Sequence, residues 1–191
     1  MVMKQRGFTL VEIAIVLVII GLLLGGVLKG QEMVTNAKIR RIADDWNNVS
    51  AAVLSYQDRY QQLPGDDSQA DQHVGATNNG GGNGYINGYW ASSTATDESR
   101  LIWDHLRRAS LITGSGDIQP RHAFGGILGV QSGTIFGLRG HLSCIQNMAG
   151  DFALLVDNKI DDGVPNAGTV RGHATQTAYS STGNYNQCTR I

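Results

Sequence analysis

The sequence predicts an α+β fold in which a long N-terminal helix continues into a small globular domain, with an antiparallel sheet packed on that helix. An apolar run from Phe8 to Leu28 is followed by a second segment whose apolar residues recur at helical spacing. Short strand-like runs separated by glycines come later in the chain. A chain of 191 residues has room for one soluble domain beside a membrane helix, but not for two large domains.

The apolar run from Phe8 to Leu28 contains one charged residue, Glu12. A helix over this range is about 31 Å long, which is enough to cross the hydrocarbon core of a bilayer. A charged side chain at the centre of that core costs roughly 2.5 to 3.5 kcal/mol, and somewhat less near an end. We therefore expect Glu12 to have a partner.

Residues 4–12, Lys-Gln-Arg-Gly-Phe-Thr-Leu-Val-Glu, resemble the class III signal of type IV pilins and type II secretion pseudopilins. The resemblance implies that prepilin peptidase removes a leader, residues 1–7, by cutting after Gly7, and that the new N-terminal residue, Phe8, is methylated. It also implies that Glu12 neutralises the Phe8 amine of a neighbouring subunit during filament assembly. The leader would then lie in the cytoplasm and the bulk of the chain outside the inner membrane.

A seam of apolar residues follows the membrane segment and predicts that the helix continues. The helix should end at Leu63, because Pro64 disfavours helical geometry in the residue before it. The glycines from Gly25 to Gly30 leave a local bend or melting open. A sheet or a neighbouring helix should cover the seam, with coiled-coil pairing as the less favoured interpretation. The seam consists of Ile39, Ile42, Trp46, Val49, Val53, Tyr56 and Tyr60.

These patterns, together with what the resemblance implies, predict four segments: the leader over residues 1–7, a transmembrane and filament-core helix over 8–28, the exposed half of the helix over 29–63, and an exported globular domain over 64–191. Within that domain, the sequence predicts a loop from Asp66 to Ser93, with a Gly-rich part at 75–88. No apolar strand precedes these glycines and no Lys-Ser/Thr follows them, so a phosphate-binding loop is not favoured. The loop should dock through Tyr85, Ile86, Tyr89 and Trp90.

A second helix is predicted over Thr96 to Ile112, with Thr96 as its cap. Its inner face should consist of Leu101, Ile102, His105, Leu106 and Ala109. Strand-like runs lie near residues 127–130, 134–138 and 142–145, a short helix is predicted over Gly150 to Lys159, and further strands are predicted at 169–171 and 175–179.

Two cysteines occur, Cys144 and Cys188, and their number and position fit an exported domain with one disulfide. The bridge would close a loop of about 45 residues, worth on the order of 3 to 4 kcal/mol. Two free buried thiols are the alternative. A metal pair is less favoured, because neither a C-x-x-C motif nor clustered histidines accompany them.

Asp157, Asp161 and Asp162 form the densest group of oxygen ligands in the sequence. Carboxylates on a flexible loop suit calcium, and some secretion pseudopilins bind calcium in a C-terminal loop. The alternative is an ordinary helix end and turn, where Asp and Gly are common. No other cofactor is predicted.

The sequence predicts no catalytic residue, since there is no Gly-x-Ser-x-Gly elbow and the five histidines are scattered. The protein is therefore expected not to be an enzyme. A formal net charge of -1 gives no indication of a nucleic-acid partner, and the scattered arginines, Arg107, Arg108, Arg121 and Arg139, are interpreted as solvated surface.

The favoured function is a structural subunit of a type IV pilus or a type II secretion pseudopilus. Its expected partners are prepilin peptidase, the inner membrane with its assembly platform, and other pilin or pseudopilin subunits. The expected location is the inner membrane, with a single pass and a periplasmic domain, and then the filament. The alternative is a monomeric, signal-anchored periplasmic or extracellular binding module, adhesin-like or calcium-binding.

Overall fold

The computed structural model describes residues 9–191, and its architecture is the predicted α+β fold: a long N-terminal helix followed by a small domain with a three-stranded antiparallel sheet. The strands are arranged in the order β1-β2-β3. The boundary between two compact units falls between Ala37 and Lys38. The elements are α1 (Leu10–Tyr60), α2 (Ala70–Val74), α3 (Glu98–Arg108), β1 (Leu128–Ile135), β2 (Leu138–Ala149), α4 (Gly150–Ile160) and β3 (Asn184–Arg190).

Helix α1 is continuous from Leu10 to Tyr60, so the helix does not melt at Gly25 to Gly30. Its predicted end at Leu63 is wrong by three residues. Gln61 adopts a left-handed backbone conformation with φ 53°, and this conformation ends the helix three residues before Pro64. The Gln61 side chain donates to the backbone oxygen of Asp58 (3.0 Å) and so helps to satisfy the last turn.

The predicted seam of α1 is buried, except that Tyr60 is only partly covered. Its apolar side chains join one hydrophobic cluster with Leu128 and Val130 of β1 and with Ile145 of β2. Ile102 and Leu106 of α3 lie in the same cluster. The core of the unit from Lys38 to Ile191 therefore forms where the sheet and α3 cover this half of α1, as the helical periodicity predicts.

Strands β1 and β2 form a hairpin whose two-residue turn is Phe136 and Gly137. Both turn residues have positive φ, 49° and 81°, which suits the twist of the flanking strands. The predicted strand at residues 134–138 is therefore wrong, because the turn lies inside it. The predicted runs near 127–130 and 142–145 belong largely to β1 and β2.

Strand β3 pairs with β2, and the sequence patterns miss it. The predicted strands at residues 169–171 and 175–179 are wrong; only Arg171 makes an isolated bridge, to Cys188. In β3 the buried side chains are Tyr185, Gln187 and Cys188. A buried glutamine among asparagines hides the apolar alternation from which a strand is normally recognised.

The second face of the sheet is covered by the long loop that precedes α3. Trp90 packs there with Leu138, Leu142 and the two cysteines. Gly129 allows this approach, because a Cβ at that position would collide with the backbone oxygen of Trp90.

The loop departs from its prediction in two respects. It contains the short helix α2, and Tyr85 and Tyr89 are exposed, whereas Ile86 and Trp90 are buried as expected.

Helix α3 is shorter than predicted, at Glu98–Arg108. Asp97 rather than Thr96 occupies the position before its first residue, and Ser110, with φ 57°, turns the chain after its end. The predicted inner face of α3 is buried throughout. Helix α4 begins at the predicted residue, Gly150, and extends one residue further, to Ile160.

Candidate functional site

The start of helix α1 is the predicted processing and assembly segment. Gly7 and Phe8 lie outside the described residues. Thr9 precedes the first helical residue, and its backbone N–H and its hydroxyl each donate to Oε2 of Glu12 at 2.8 Å. The Glu12 N–H in turn donates to the Thr9 hydroxyl oxygen at 3.2 Å. This reciprocal arrangement is a capping box, and it satisfies backbone donors that a helix N-terminus otherwise leaves free.

Helix α1 exposes its apolar surface in the described part of the first compact unit, residues 9–37. Each large apolar side chain from Leu10 to Val34 is exposed, and even the least exposed, Ile20, keeps 46 % of its surface accessible. Helix α1 contains a segment long and apolar enough to cross a membrane. Because so large an apolar surface is unfavourable in water, it requires lipid or other protein chains around it.

The disulfide between Cys144 and Cys188 is present, as predicted. The two residues are direct partners in the β2–β3 pairing, and both are fully buried. The bridge therefore ties β3 to the centre of the sheet across the long connection that contains α4.

Asp157, Asp161 and Asp162 come together at the end of α4, where one oxygen from each lies within 4.8 Å of the others. Burial raises the pKa of the Asp157 carboxyl, although its hydrogen bonds from Tyr179 and Gly163 act in the opposite direction. The neighbouring carboxylates of Asp162 and Asp161 also raise this pKa.

Each of these carboxylates also accepts hydrogen bonds from the protein. Asp157 accepts from the Tyr179 hydroxyl (2.6 Å) and from the Gly163 N–H (3.2 Å). Asp161 accepts from the backbone N–H groups of Thr169 and Val170, and Asp162 from that of Val164. These bonds shape the turn after α4, which agrees with the helix-end interpretation. Calcium at this cluster stays a prediction.

Two buried carboxylates hold the Gly-rich loop, an arrangement that the sequence patterns did not indicate. Asp66 accepts from the backbone N–H groups of Asn83 (3.0 Å) and Gly84 (2.6 Å). Glu98 accepts from those of Gly81 (2.7 Å) and Asn87 (2.7 Å). These amides are thus engaged by carboxylates, so the loop is a fixed part of the domain.

We expect Asp66→Asn to lower the free energy of unfolding by about 2 kcal/mol, because an amide offers one acceptor oxygen and turns its NH₂ group towards a backbone donor. Urea unfolding of the full chain in lipid nanodiscs, followed by tryptophan fluorescence, measures this change. All three tryptophans are buried in the unit from Lys38 to Ile191. Asp58→Asn, at an exposed site on α1, is the control. Equal stability of the two variants would contradict the assigned role of Asp66.

Two buried histidines are held in the neutral form by the same pattern of contacts. The Gly65 N–H donates to Nδ1 of His105 (3.0 Å), so the ring proton lies on Nε2 and donates to the Asn78 oxygen (3.0 Å). In His122, Nδ1 accepts from the Phe124 N–H (3.3 Å) and Nε2 donates to the Gln146 oxygen (2.8 Å). Burial lowers the pKa of both imidazoles below the usual 6.5.

We expect this unit to lose stability as the pH falls below about 6.5, because the unfolded chain then binds protons that the folded histidines do not. Above that pH both states carry neutral imidazoles and this contribution to the pH dependence vanishes. Urea unfolding at a series of pH values from 7.5 to 5 measures the slope. His105→Gln should reduce that slope, since the amide can keep both hydrogen bonds without titrating. An unchanged slope in this variant would exclude His105 as a source.

Comparison with protein families gives one match at the N-terminus. Residues 2–28 match the prokaryotic N-terminal methylation motif. Comparison with curated proteins and with solved structures gives no significant match. The predicted class III signal of the type IV pilin and pseudopilin kind is thus confirmed, and the N-terminal segment is a prepilin-type methylation segment that is consistent with a single-pass membrane anchor.

Proposed function

We propose that this chain is a structural subunit, a pilin or pseudopilin, of a type IV pilus or a type II secretion pseudopilus. It carries the N-terminal motif of pilin-like proteins that are processed by prepilin peptidase. The observation that carries the proposal is the exposed apolar surface of α1 with Glu12 as the one charged residue from Leu10 to Leu28. Such a surface suits both a bilayer and the interior of a helical filament.

In the proposed pathway the peptidase cuts after Gly7, and the new amine at Phe8 is methylated. The mature chain then waits in the inner membrane with residues 8–28 embedded. An assembly platform moves subunits out of the membrane, and their apolar side chains exchange lipid for one another. Because little apolar surface meets water at any stage, the free-energy cost of this transfer stays low.

Glu12 sets the register of the proposed filament. An isolated carboxylate in an apolar environment is costly, whereas a carboxylate paired with a cation is much less so. The Phe8 amine of a neighbouring subunit is the cation that processing creates. Because that amine does not exist before cleavage, pairing is coupled to removal of the leader.

The unit from Lys38 to Ile191 would be exported to the periplasm and then form the filament surface. Its buried disulfide supports this assignment, since such bridges form and persist in oxidising compartments. The continuous helix α1 links this unit covalently to the membrane segment.

The mass of the mature protein tests the proposal at its first step. In cells that contain prepilin peptidase, we expect the purified chain to lack residues 1–7 and to carry one added methyl group. Cells without the peptidase should retain the leader, and so should a Gly7→Asp variant in cells with the peptidase. An intact leader in peptidase-containing cells would overturn the proposal. So would a processed chain that is never recovered in sheared filaments or cross-linked oligomers.

A further inference from the structure

The dipeptide Asn-Gly occurs three times in the Gly-rich loop, at Asn79-Gly80, Asn83-Gly84 and Asn87-Gly88. In such a pair the backbone nitrogen of the glycine can attack the side-chain amide carbon of the asparagine, because glycine has no Cβ to hinder the approach. The attack needs a glycine N–H that can lose its proton and an asparagine amide that can turn towards the glycine nitrogen. The three pairs differ in both respects.

Hydrogen bonds hold both members of the first pair. The Gly80 N–H donates to the backbone oxygen of Asp67 (2.8 Å). The Asn79 amide accepts from the backbone N–H of Asp71 (2.8 Å) and donates to the Asp71 carboxylate (2.9 Å). The amide of Asn79 therefore cannot turn, and the nitrogen of Gly80 cannot attack, until these bonds break.

The second pair is held in a similar way. The Gly84 N–H donates to Oδ2 of Asp66 (2.6 Å), and the amide oxygen of Asn83 accepts from the Tyr85 N–H (2.9 Å). A hydrogen bond to a carboxylate is charge-assisted and therefore among the stronger ones. Breaking it before the attack slows the reaction at this pair by about tenfold or more.

The third pair lacks both restraints. In the part of the chain that the structure describes, the Asn87 side chain and the Gly88 N–H make no hydrogen bond, and both residues are exposed. The backbone oxygen of Asn87 accepts from the Ser99 N–H (3.0 Å). When the Gly88 nitrogen loses its proton, negative charge spreads onto this oxygen, so the Ser99 donor stabilises the attacking anion.

Two carboxylates lie near the third pair and oppose the loss of the Gly88 proton. Glu98 accepts from the Asn87 N–H (2.7 Å), and the Asp97 side chain lies beside Gly88. Gly84 meets the same repulsion more directly, because its own N–H is bonded to a carboxylate. Nearby negative charge therefore slows both pairs, whereas the bond that must also break slows the reaction at Gly84 alone.

We propose that Asn87 is a site of spontaneous deamidation, and that the fold protects Asn79 and Asn83 from the same reaction. The Gly88 nitrogen gives its proton to hydroxide and forms a bond to Cγ of Asn87. The bond from Cγ to the side-chain nitrogen breaks, and that nitrogen takes a proton from water and leaves as ammonia. Water then opens the cyclic imide. Breaking the new bond to Cγ gives aspartate, and breaking the bond to the backbone carbonyl carbon gives isoaspartate.

The isoaspartate product would loosen the loop, because it adds one CH₂ group to the main chain where the loop is anchored. The main chain of Asn87 is bonded to Glu98 and Ser99 at the start of α3. Trp90, three residues later, is buried against the sheet. The aspartate product leaves the length of the main chain unchanged. The inference rests on this loop and is independent of the proposed filament role.

Peptide mapping by mass spectrometry tests the proposal, with the full chain incubated in zwitterionic lipid nanodiscs in mildly alkaline buffer. All three pairs lie on one tryptic peptide, residues 60–100, so they are compared within the same molecule. Digestion under mildly acidic conditions prevents further reaction. In the folded chain we expect Asn87 to convert at least about tenfold faster than Asn79 or Asn83. In urea, where the protecting bonds are absent, the three sites should convert at similar rates.

Two variants test the chemistry and the protection separately. Asn87→Gln should abolish the fast reaction, because the longer side chain would have to close a less favourable six-membered ring, and the slow sites should be unchanged. Asp66→Asn should raise conversion at Asn83 about tenfold, the rate equivalent of one charge-assisted bond. Tryptophan fluorescence checks that both variants are folded. Equal rates at the three sites in the folded chain, or the same difference between them in urea, would overturn the proposal.

Discussion

Replacing both cysteines, as Cys144→Ala with Cys188→Ala, is expected to lower the free energy of unfolding of the unit from Lys38 to Ile191 by about 3 to 4 kcal/mol. The bridge spans a sequence separation of 44 residues. The bridge restricts the conformations of the unfolded chain. Without it, pairing β2 with β3 must also overcome the conformational entropy that the connecting segment loses when its two ends are brought together. For a unit of this size the melting temperature should fall by about 10 °C.

Urea unfolding of the full chain in nanodiscs, followed by tryptophan fluorescence, measures this loss. Adding a reductant to the unfolding series should destabilise the wild-type chain to a similar extent and leave the double variant unchanged. Ser143→Ala controls for the removal of a buried atom from the same strand, since the Ser143 hydroxyl is buried without a partner within residues 9–191. That variant should stay within about 1 kcal/mol of wild type. A double variant as stable as Ser143→Ala would contradict the expectation.

Local sequence patterns predict the helices that bury one apolar face, because the repeat of apolar residues lies within a single segment of the chain. The seam on α1 repeats over many residues, and the inner face of α3 repeats over three turns, so both could be recognised before the rest of the fold was known. The disulfide was predictable for a different reason. With two cysteines in the sequence, a single intramolecular pairing is available.

Elements that depend on distant partners could not be predicted in this way. Strand β3 buries Gln187, whose Nε2 donates to the backbone oxygen of Ala153 in α4 (2.8 Å), and this contact exists only after folding. The Gly-rich loop is fixed by Asp66 and Glu98, and no short motif links these carboxylates to the glycine amides that they bind.

The capping box at Thr9 and Glu12 was visible in the sequence, since a threonine followed three residues later by a glutamate before an apolar run is its usual pattern. The resemblance to pilins implies only a contact of Glu12 with a neighbouring subunit. The structure shows a role within the same chain, because Glu12 accepts two hydrogen bonds from Thr9. A substitution that removes Glu12 entirely therefore cannot separate the two roles.

Glu12→Gln is expected to separate them, and to reduce the yield of sheared filaments at least about 100-fold. Glutamine serves in a capping box as well as glutamate does, so the start of α1 should be preserved. It carries no charge, however, so the Phe8 amine of the neighbouring subunit would be buried without its partner. Breaking a buried ion pair in this way costs about 3 to 5 kcal/mol for each contact. Processing and methylation, measured by mass, should continue, which would locate the defect at assembly.

Two controls distinguish the charge of Glu12 from its capping role and from acidity in general. Thr9→Val removes the hydroxyl of the capping box but keeps the carboxylate, and it should assemble at nearly the wild-type level. Glu32→Gln removes an exposed acid that pairs with Lys29 (2.9 Å) on the surface of the same helix, a contact worth little. If Glu12→Gln yields as many filaments as these controls, the inter-subunit ion pair is wrong and Glu12 acts only as a helix cap. If Thr9→Val fails as severely as Glu12→Gln, the start of the helix, and not the charge, limits assembly.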